Sequence, residues 1–334
     1  MRLMLIAIVF ALFPALGQGA TDQHSATIEA MGGIPINISA WGMTTQEFDS
    51  SVEAISQRIE YLESILSPYR PDSAVAALNR GEIPDQLAPE ITRLVDVARH
   101  VSDETAGTFD ITVMPLVQLW KRCKEAGRLP TSTDLSEAAS RTNWTAITVE
   151  EGVLRIEQEG LMLDFGGIAK GYFADEAVAL LRSAGATRCL VDVGGDIATW
   201  QALPIAKPFR IGIRDPFGSS SIFATLSIDE GAVVTSGDYE RFYTIEGKQY
   251  CHIIDPRTGW PVEGMHSVTL LAPTGVEADA LATAVFVLGA TGGRDFVETH
   301  PSVEAIIVSD KSDGGVEVYI SPGLIDAVQL VTPD

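Results

Sequence analysis

Asp279 and Thr283 lie four residues apart in the stretch EADALAT at 277–283, so on a helix they share one face. A carboxylate and a hydroxyl there are hard oxygen donors of the kind Mg²⁺ takes. A helical threonine also bonds the carbonyl one turn back, and an aspartate is favoured near a helix start. The pair alone therefore does not define a metal site. A second stretch, LDFGGIAKG at 163–171, reads as a strand entering glycines and a helix leaving them, with Lys170 in its first turn. N–H groups at such a helix start attract phosphate, and glycine lets the backbone approach closely. The spacing is neither a Walker motif nor GxGxxG, and a plain glycine turn with a solvated lysine would look the same.

Three further stretches carry polar groups. HIIDPRTG at 252–259 places His252 on a strand that ends in a Pro–Thr–Gly turn. On an alternating strand it shares a face with Ile254. Its imidazole suits a general base near neutral pH, or a structural role beside the turn. GTFDIT at 107–112 sets Phe109 beside Asp110, Thr108 and Thr112, where the ring suits a flat ligand or the core. TSGDYE at 235–240 reads as a polar turn joining two strand-like runs. His24, His100, His266 and His300 sit in no comparable setting and read as surface or packing residues.

Periodicity outlines the elements that must hold these groups. Apolar residues recur at three- and four-residue steps over 44–66, Thr44 and Glu47 form a capping box, and Pro68 and Pro71 end the helix. A second helix is expected from 89 to about 101. Residues 146–156 alternate around Glu151-Gly152 as a hairpin, and 161–163 reads as a short buried strand. The helix after Gly166-Gly167 runs to about 182 and stops before Gly185. Strands are expected at 189–193, 209–213, 222–228, 232–235, 250–254, 267–271 and 303–308, with a helix from 277 to about 288. Residues 130–134 read as a loop. Strands and helices mix without a regular βαβ beat, which indicates one α+β domain.

The 334 residues are 46% hydrophobic and 20% charged, an ordinary globular balance with ample length for a core. The net charge of −22 and the lack of a Lys/Arg run argue against nucleic-acid binding. An anionic ligand would need local donors or a metal to overcome that repulsion. Residues 1–19 have the layout of a signal peptide: Arg2, an apolar run over 3–16, then small residues. No cysteine lies there for lipid attachment, and no other stretch reads as a membrane span, so a soluble periplasmic chain is expected. Cys123, Cys189 and Cys251 are too scattered for a zinc or iron–sulfur site, and one disulfide is open to them.

Taken in order, LSPYRPDSAVAALN at 66–79, GTFDIT, LDFGGIAKGY at 163–172, VDVGGDI at 191–197, TSGDYE, HIIDPRTGWP at 252–261 and ADALATAVFVLG at 278–289 resemble the ApbE family of flavin transferases. The likeness spans 25–330. It implies a T-fold-like α+β domain, with mixed sheets, flanking helices and an FAD cleft. It implies that Met31, Tyr69, Thr108, Phe109 and Asp110 face the isoalloxazine or ribityl chain. Asp164 and Lys170 should contact FAD near its adenosine or phosphates, and Ile253 should approach through its backbone. Mg²⁺ should be held by Asp279, Thr283 and the Gly167 carbonyl. His252 matches the histidine on which the family's activity depends, either as the base or with Asp279 assisting.

The implied reaction splits FAD, attaches FMN to a threonine of an acceptor flavoprotein and releases AMP. Subunits of Nqr or Rnf type, or flavin reductases, are the implied acceptors. Two other readings use the same residues: an Mg²⁺-dependent FAD pyrophosphatase, and a non-catalytic flavin-binding protein. Departures from the family pattern are Met31-Gly32-Gly33 where a threonine is usual third, Asp192 where asparagine is common, and the missing lipid-anchor cysteine.

Overall fold

The computed structural model describes residues 23–82, 87–202, 207–217, 221–239 and 242–331. Residues 1–19, read above as a signal peptide, and Glu240 of the 235–240 block lie outside these residues. The chain opens with β1 (Gln23–Ala30) and β2 (Ile34–Trp41), followed by α1 (Thr45–Leu66), α2 (Ala74–Asn79), α3 (Pro89–Glu104), α4 (Met114–Ala126) and α5 (Ser132–Ala139). A hairpin of β3 (Ile147–Glu150) and β4 (Val153–Ile156) precedes α6 (Ala169–Ser183). Then come β5 (Arg188–Val193), β6 (Asp196–Gln201), β7 (Phe209–Arg214), β8 (Ile222–Ile228), β9 (Gly231–Gly237), β10 (Phe242–Ile245), β11 (Lys248–Cys251) and β12 (Met265–Ala272). Helix α7 (Gly275–Thr299) and strands β13 (Glu304–Asp310), β14 (Val316–Ile320) and β15 (Val328–Leu330) complete it.

Eight strands form one antiparallel sheet in the order β1-β2-β5-β6-β9-β12-β13-β14. Period-two alternation splits its side chains between two cores. Val191, Ala198, Val234, Leu270 and Ile307 face the main cluster, which includes residues of α1, α3, α6 and α7. Leu190, Ile197, Val233 and Ile306 face the other way, against the small sheet of β15, β8 and β7. A third cluster gathers Trp120, Leu116, Tyr250 and Ile254 around α4, α5 and the β10–β11 hairpin. Large side chains such as Phe165, Phe173 and Phe286 are fully buried, and each contributes about 2–3 kcal/mol through lost apolar surface.

The first helix begins as expected, with Thr44 and Glu47 forming a reciprocal capping box. The 146–156 hairpin also forms, Glu151 and Gly152 both taking positive φ at its tip. Elsewhere the structure differs from the sequence reading. Residues 161–163 make a single bridge, Met162 to Val113, because no strand lies alongside them. The strand expected over 250–254 ends at Cys251, where its partner β10 begins with Phe242. Residues 130–134 are not all loop: Thr131 and Asp134 form a second capping box that starts α5. The 235–240 turn is partly strand, since β9 pairs with β12 as far as Gly237.

Helix α7 outruns its expected end at 288, but the backbone breaks there: Gly289 has φ 76° and ψ 179°. Among the described residues α7 alone is long and apolar enough to cross a membrane, and 61% of that window is buried inside the protein, as in a core helix. All three cysteines are free and buried. Burial pushes the Cys189 and Cys251 thiols up to about 12.

Candidate active site

Helices α6 and α7 cross where neither has room for a side chain. A Cβ on Gly171 would fall on the Gly275 carbonyl, and one on Gly275 would fall on the Gly171 carbonyl. Only glycine at both positions lets the two backbones come this close. The approach brings the buried Asp279 carboxylate of α7 onto the first turn of α6, where its Oδ2 accepts the Gly171 N–H at 3.0 Å. A carboxylate at a helix N-terminus is a favourable placement of charge.

One turn further along α7, Thr283 faces the glycines that precede α6. A Cβ built on Gly167 would lie 3.2 Å from Thr283 Oγ1 and 3.2 Å from the Phe109 ring. The Gly167 backbone, the hydroxyl and the aromatic edge thus border one small space. Ser236 of β9 adds a second hydroxyl, its Oγ 3.4 Å from Thr283 Oγ1. Gly167, Asp279, Thr283 and Phe109, singled out from separate stretches of sequence, are therefore brought together. Beside Phe109, Thr108 is buried, and its hydroxyl has no hydrogen-bond partner among the described residues.

Asp110 serves the loop instead. Its Oδ1 accepts the Thr112 N–H and hydroxyl, both at 2.7 Å, and its Oδ2 accepts the Trp144 N–H at 3.2 Å. Burial still pushes its carboxyl up to about 6. The approach to the glycines is shaped by Asn79. Its amide oxygen accepts the Leu163 N–H at 2.6 Å and its nitrogen donates to the Leu163 carbonyl at 2.9 Å. One side-chain amide thus does what a neighbouring strand would do.

Asp164 Oδ1 accepts the Gly166 N–H at 2.8 Å, and the Ala169 N–H donates to the Phe165 carbonyl at 2.9 Å. With Gly171 bonded to Asp279, three donors of the expected phosphate-binding turn already have acceptors inside the protein. Lys170 Nζ lies 2.8 Å from Asp196 Oδ2, and Asp196 is buried at the start of β6. Asp192 closes the β5–β6 turn by accepting the Gly195 N–H at 2.7 Å and the Asn37 amide at 3.3 Å, and burial raises its carboxyl pKa.

Met31 sits at the tip of the β1–β2 hairpin with φ 48°, and Glu63 in the last turn of α1 accepts its N–H. Tyr69 follows the end of the same helix and is 69% exposed, so an aromatic ring stands open to solvent near Met31's end of α1. His252 is half-buried at a boundary. Its neighbours Cys251 and Ile253 belong to the main cluster, whereas Tyr250 and Ile254 belong to the cluster around Trp120. The Ile253 N–H donates to Cys251 Sγ at 3.3 Å and its carbonyl accepts the Val262 N–H at 3.0 Å, so both backbone groups have partners within the turn. Trp120 Nε1 donates to the Gly259 carbonyl at 2.8 Å and ties this turn to α4.

Asn79, Ser236 and Asp196 were not singled out as site residues from the sequence. Each nonetheless lies inside a motif that was: the 66–79, 235–240 and 191–197 blocks. Their neighbours in space come from distant parts of the chain, which local pattern does not reveal. Among the described residues no three His, Cys, Asp or Glu side chains are arranged as metal ligands. The Asp279 carboxylate, the Thr283 hydroxyl and the adjacent Gly167 backbone form a sparser set of oxygen-bearing groups. That set fits Mg²⁺, which usually keeps waters and takes further ligands from substrate phosphates.

The antiparallel sheet with its packed helices is an α+β architecture that solved flavin transferases share. The chain belongs to the ApbE family, whose model matches residues 32–307. A relative named FAD:protein FMN transferase from Treponema pallidum is 33% identical over 305 residues, covering 85% of this chain and 83% of that protein. The crystal structure of the Pseudomonas stutzeri flavinyl transferase ApbE, apo form, superposes with TM-score 0.78 at 26% identity, covering 93% of this chain and 98% of that one. The flavin transferase ApbE from Vibrio cholerae matches with TM-score 0.78 at 27% identity, covering 90% and 97%.

Proposed function

We infer that this protein is an Mg²⁺-dependent FAD:protein FMN transferase that joins FMN through a phosphoester to a threonine of an acceptor flavoprotein and releases AMP. The observation that carries the reading is the meeting of Gly167, Asp279, Thr283 and Phe109 at the α6–α7 crossing of an ApbE-family chain. Asp279, Thr283 and the Gly167 carbonyl would hold Mg²⁺, which supplies charge neutralisation at a pyrophosphate. Phe109, Met31 and Tyr69 supply apolar and aromatic surface for the isoalloxazine. Asp164 and Lys170 lie on the segment assigned to the adenosine and phosphate side.

The acceptor threonine oxygen forms a bond to the FMN-side phosphorus as the bond from that phosphorus to the bridging oxygen breaks, and AMP leaves with that oxygen. His252 Nε2 or Nδ1 takes the threonine hydroxyl proton, a role worth about 10²–10⁴-fold in rate. Positioning and electrostatics supply most of the rest. Flavin-bearing subunits of Nqr or Rnf type are the acceptors we favour, and the segment at 1–19 directs the chain to the periplasm. Loss of that segment from protein recovered in the periplasmic fraction would support export; retention in the cytoplasm would refute it.

Mass spectrometry after incubation with FAD, Mg²⁺ and a threonine-bearing acceptor domain tests the chemistry. A gain of one FMN on the acceptor with release of AMP is expected, and Asp279→Ala should lower this turnover by about 10³-fold or more. Near-normal turnover in Asp279→Ala would sink the metal assignment. FMN and AMP without an adduct would favour hydrolysis.

A further inference from the structure

The two helices that cross at the site carry the same pattern, a glycine followed four residues later by an aspartate: Gly171 and Asp175 in α6, Gly275 and Asp279 in α7. The structure uses the repeat reciprocally. The Gly171 N–H of α6 donates to Asp279 of α7 at 3.0 Å. The Gly275 N–H of α7 donates to Asp175 Oδ1 of α6 at 2.7 Å, and the Val276 N–H donates to Asp175 Oδ2 at 2.9 Å. Each glycine gives the close approach, and each aspartate receives the N–H that the other helix exposes there. One of these aspartates belongs to the proposed cation site; the other has no role in the reaction described above.

We propose that Asp175 is a positioning residue for the cation site: by holding the first two N–H groups of α7 against α6, it fixes where Asp279 and Thr283 stand relative to Gly167. The inference rests on the cation reading given above.

Helix α7 already has a cap of its own. Thr274 Oγ1 accepts the Glu277 N–H at 3.4 Å and donates to the Glu277 carboxylate at 2.9 Å. A local cap of this kind serves the helix end but does not set the position of α7 against α6. The donors at Gly275 and Val276 are satisfied from the other helix, so helix capping and helix docking become one interaction. Burial pushes the Asp175 carboxyl up to about 6, with the two N–H donors and Arg93 opposing and Glu277 adding to the rise. A carboxylate drawn partly out of water is a costly way to cap a helix for stability alone. It is suited to coupling two backbones through two bonds of fixed direction.

The test is calorimetric titration of the full chain with Mg²⁺ in the absence of FAD, on the parent and on Asp175→Asn, Asp175→Glu and Thr274→Ala. Asp175→Asn keeps the size but replaces one acceptor by a donor. It should raise the Mg²⁺ half-saturation by about tenfold, the usual effect of losing support behind a ligand. Turnover should recover at high Mg²⁺. Thr274→Ala weakens the same helix end and should leave the half-saturation within about twofold of the parent, since the cross-helix bonds remain. An unchanged half-saturation in folded Asp175→Asn overturns the proposal, as does an equal shift in Thr274→Ala. If Asp175→Asn does not fold, Asp175→Glu decides. It keeps the charge one methylene further out, and a parent-like half-saturation there overturns the proposal. A parent that takes up no Mg²⁺ overturns the cation reading and this inference together, whereas a binding parent with an insensitive Asp175 overturns this inference alone.

Discussion

At the α6–α7 crossing the polar groups are held by backbone-to-carboxylate bonds inside the main core, where two glycines bring the helices into contact. At the 252–261 turn they are held by an indole-to-carbonyl bond and a short bridge from Ile254 to Pro261, against the separate cluster around Trp120. The first region shares its packing with the central sheet and has no room for a Cβ at either glycine. The second, which carries His252, lies on the boundary between two cores. The proposed metal ligands thus stand at a helix crossing of the main core, and the proposed base at the boundary between that core and another.

Gly171→Ala should break the comparison most severely. The added Cβ meets the Gly275 carbonyl, a collision with backbone that no rotamer relieves. A loss of about 3 kcal/mol in denaturant unfolding is expected, together with loss of Mg²⁺ uptake. A variant as stable as the parent would show that the helices can slide apart. His252→Asn should lower turnover about 10²-fold, equivalent to about 2.7 kcal/mol in the barrier, with Mg²⁺ uptake unchanged. A joint loss of both would mean that the two regions are one unit.

Asp110 stands in the segment between them, just ahead of α4, and its effect is read through pH. Its folded-state carboxyl pKa, about 6, lies above the ordinary value of 3.8. The stability it contributes is present in acid and is lost as pH rises through about 6. Between pH 4.5 and 7 that loss amounts to about 2 kcal/mol. The parent-minus-Asp110→Asn difference in unfolding free energy should therefore fall by that amount over this interval, and a flat difference would refute the assignment. Trp120→Phe should have the smallest effect on stability, about 1 kcal/mol from the lost bond to Gly259. It should lower turnover while sparing Mg²⁺ uptake; reduced Mg²⁺ uptake would show that the turn supports the crossing after all.

Much of this was readable wherever the determining contacts are local. The Thr44–Glu47 box marks the start of α1, and the glycine-rich tip at 151–152 marks its hairpin, because caps and turns are decided within four residues. The residue types at 279 and 283 likewise indicated a shared helical face. Legibility ended where a distant partner decided the outcome. His252 was assigned to a strand because 250–254 alternates, yet the strand lasts only as long as β10 accompanies it. Residues 161–163 looked like a strand and met a single asparagine in place of a neighbour. The capping box at Thr131 was local and went unread inside a segment taken for loop. Asp175 differs again: the sequence reading did not single it out, and its bonds reach across 100 positions.

That reach has a kinetic consequence. Asn79 joins Leu163 across 84 positions, and Asp279 joins Gly171 across 108. Contacts of such separation form late, after the intervening chain has been organised. The cluster at the helix crossing is therefore completed only when α6 and α7 close on one another. A chain still folding would hold Asp279 apart from Gly171 until those two helices meet.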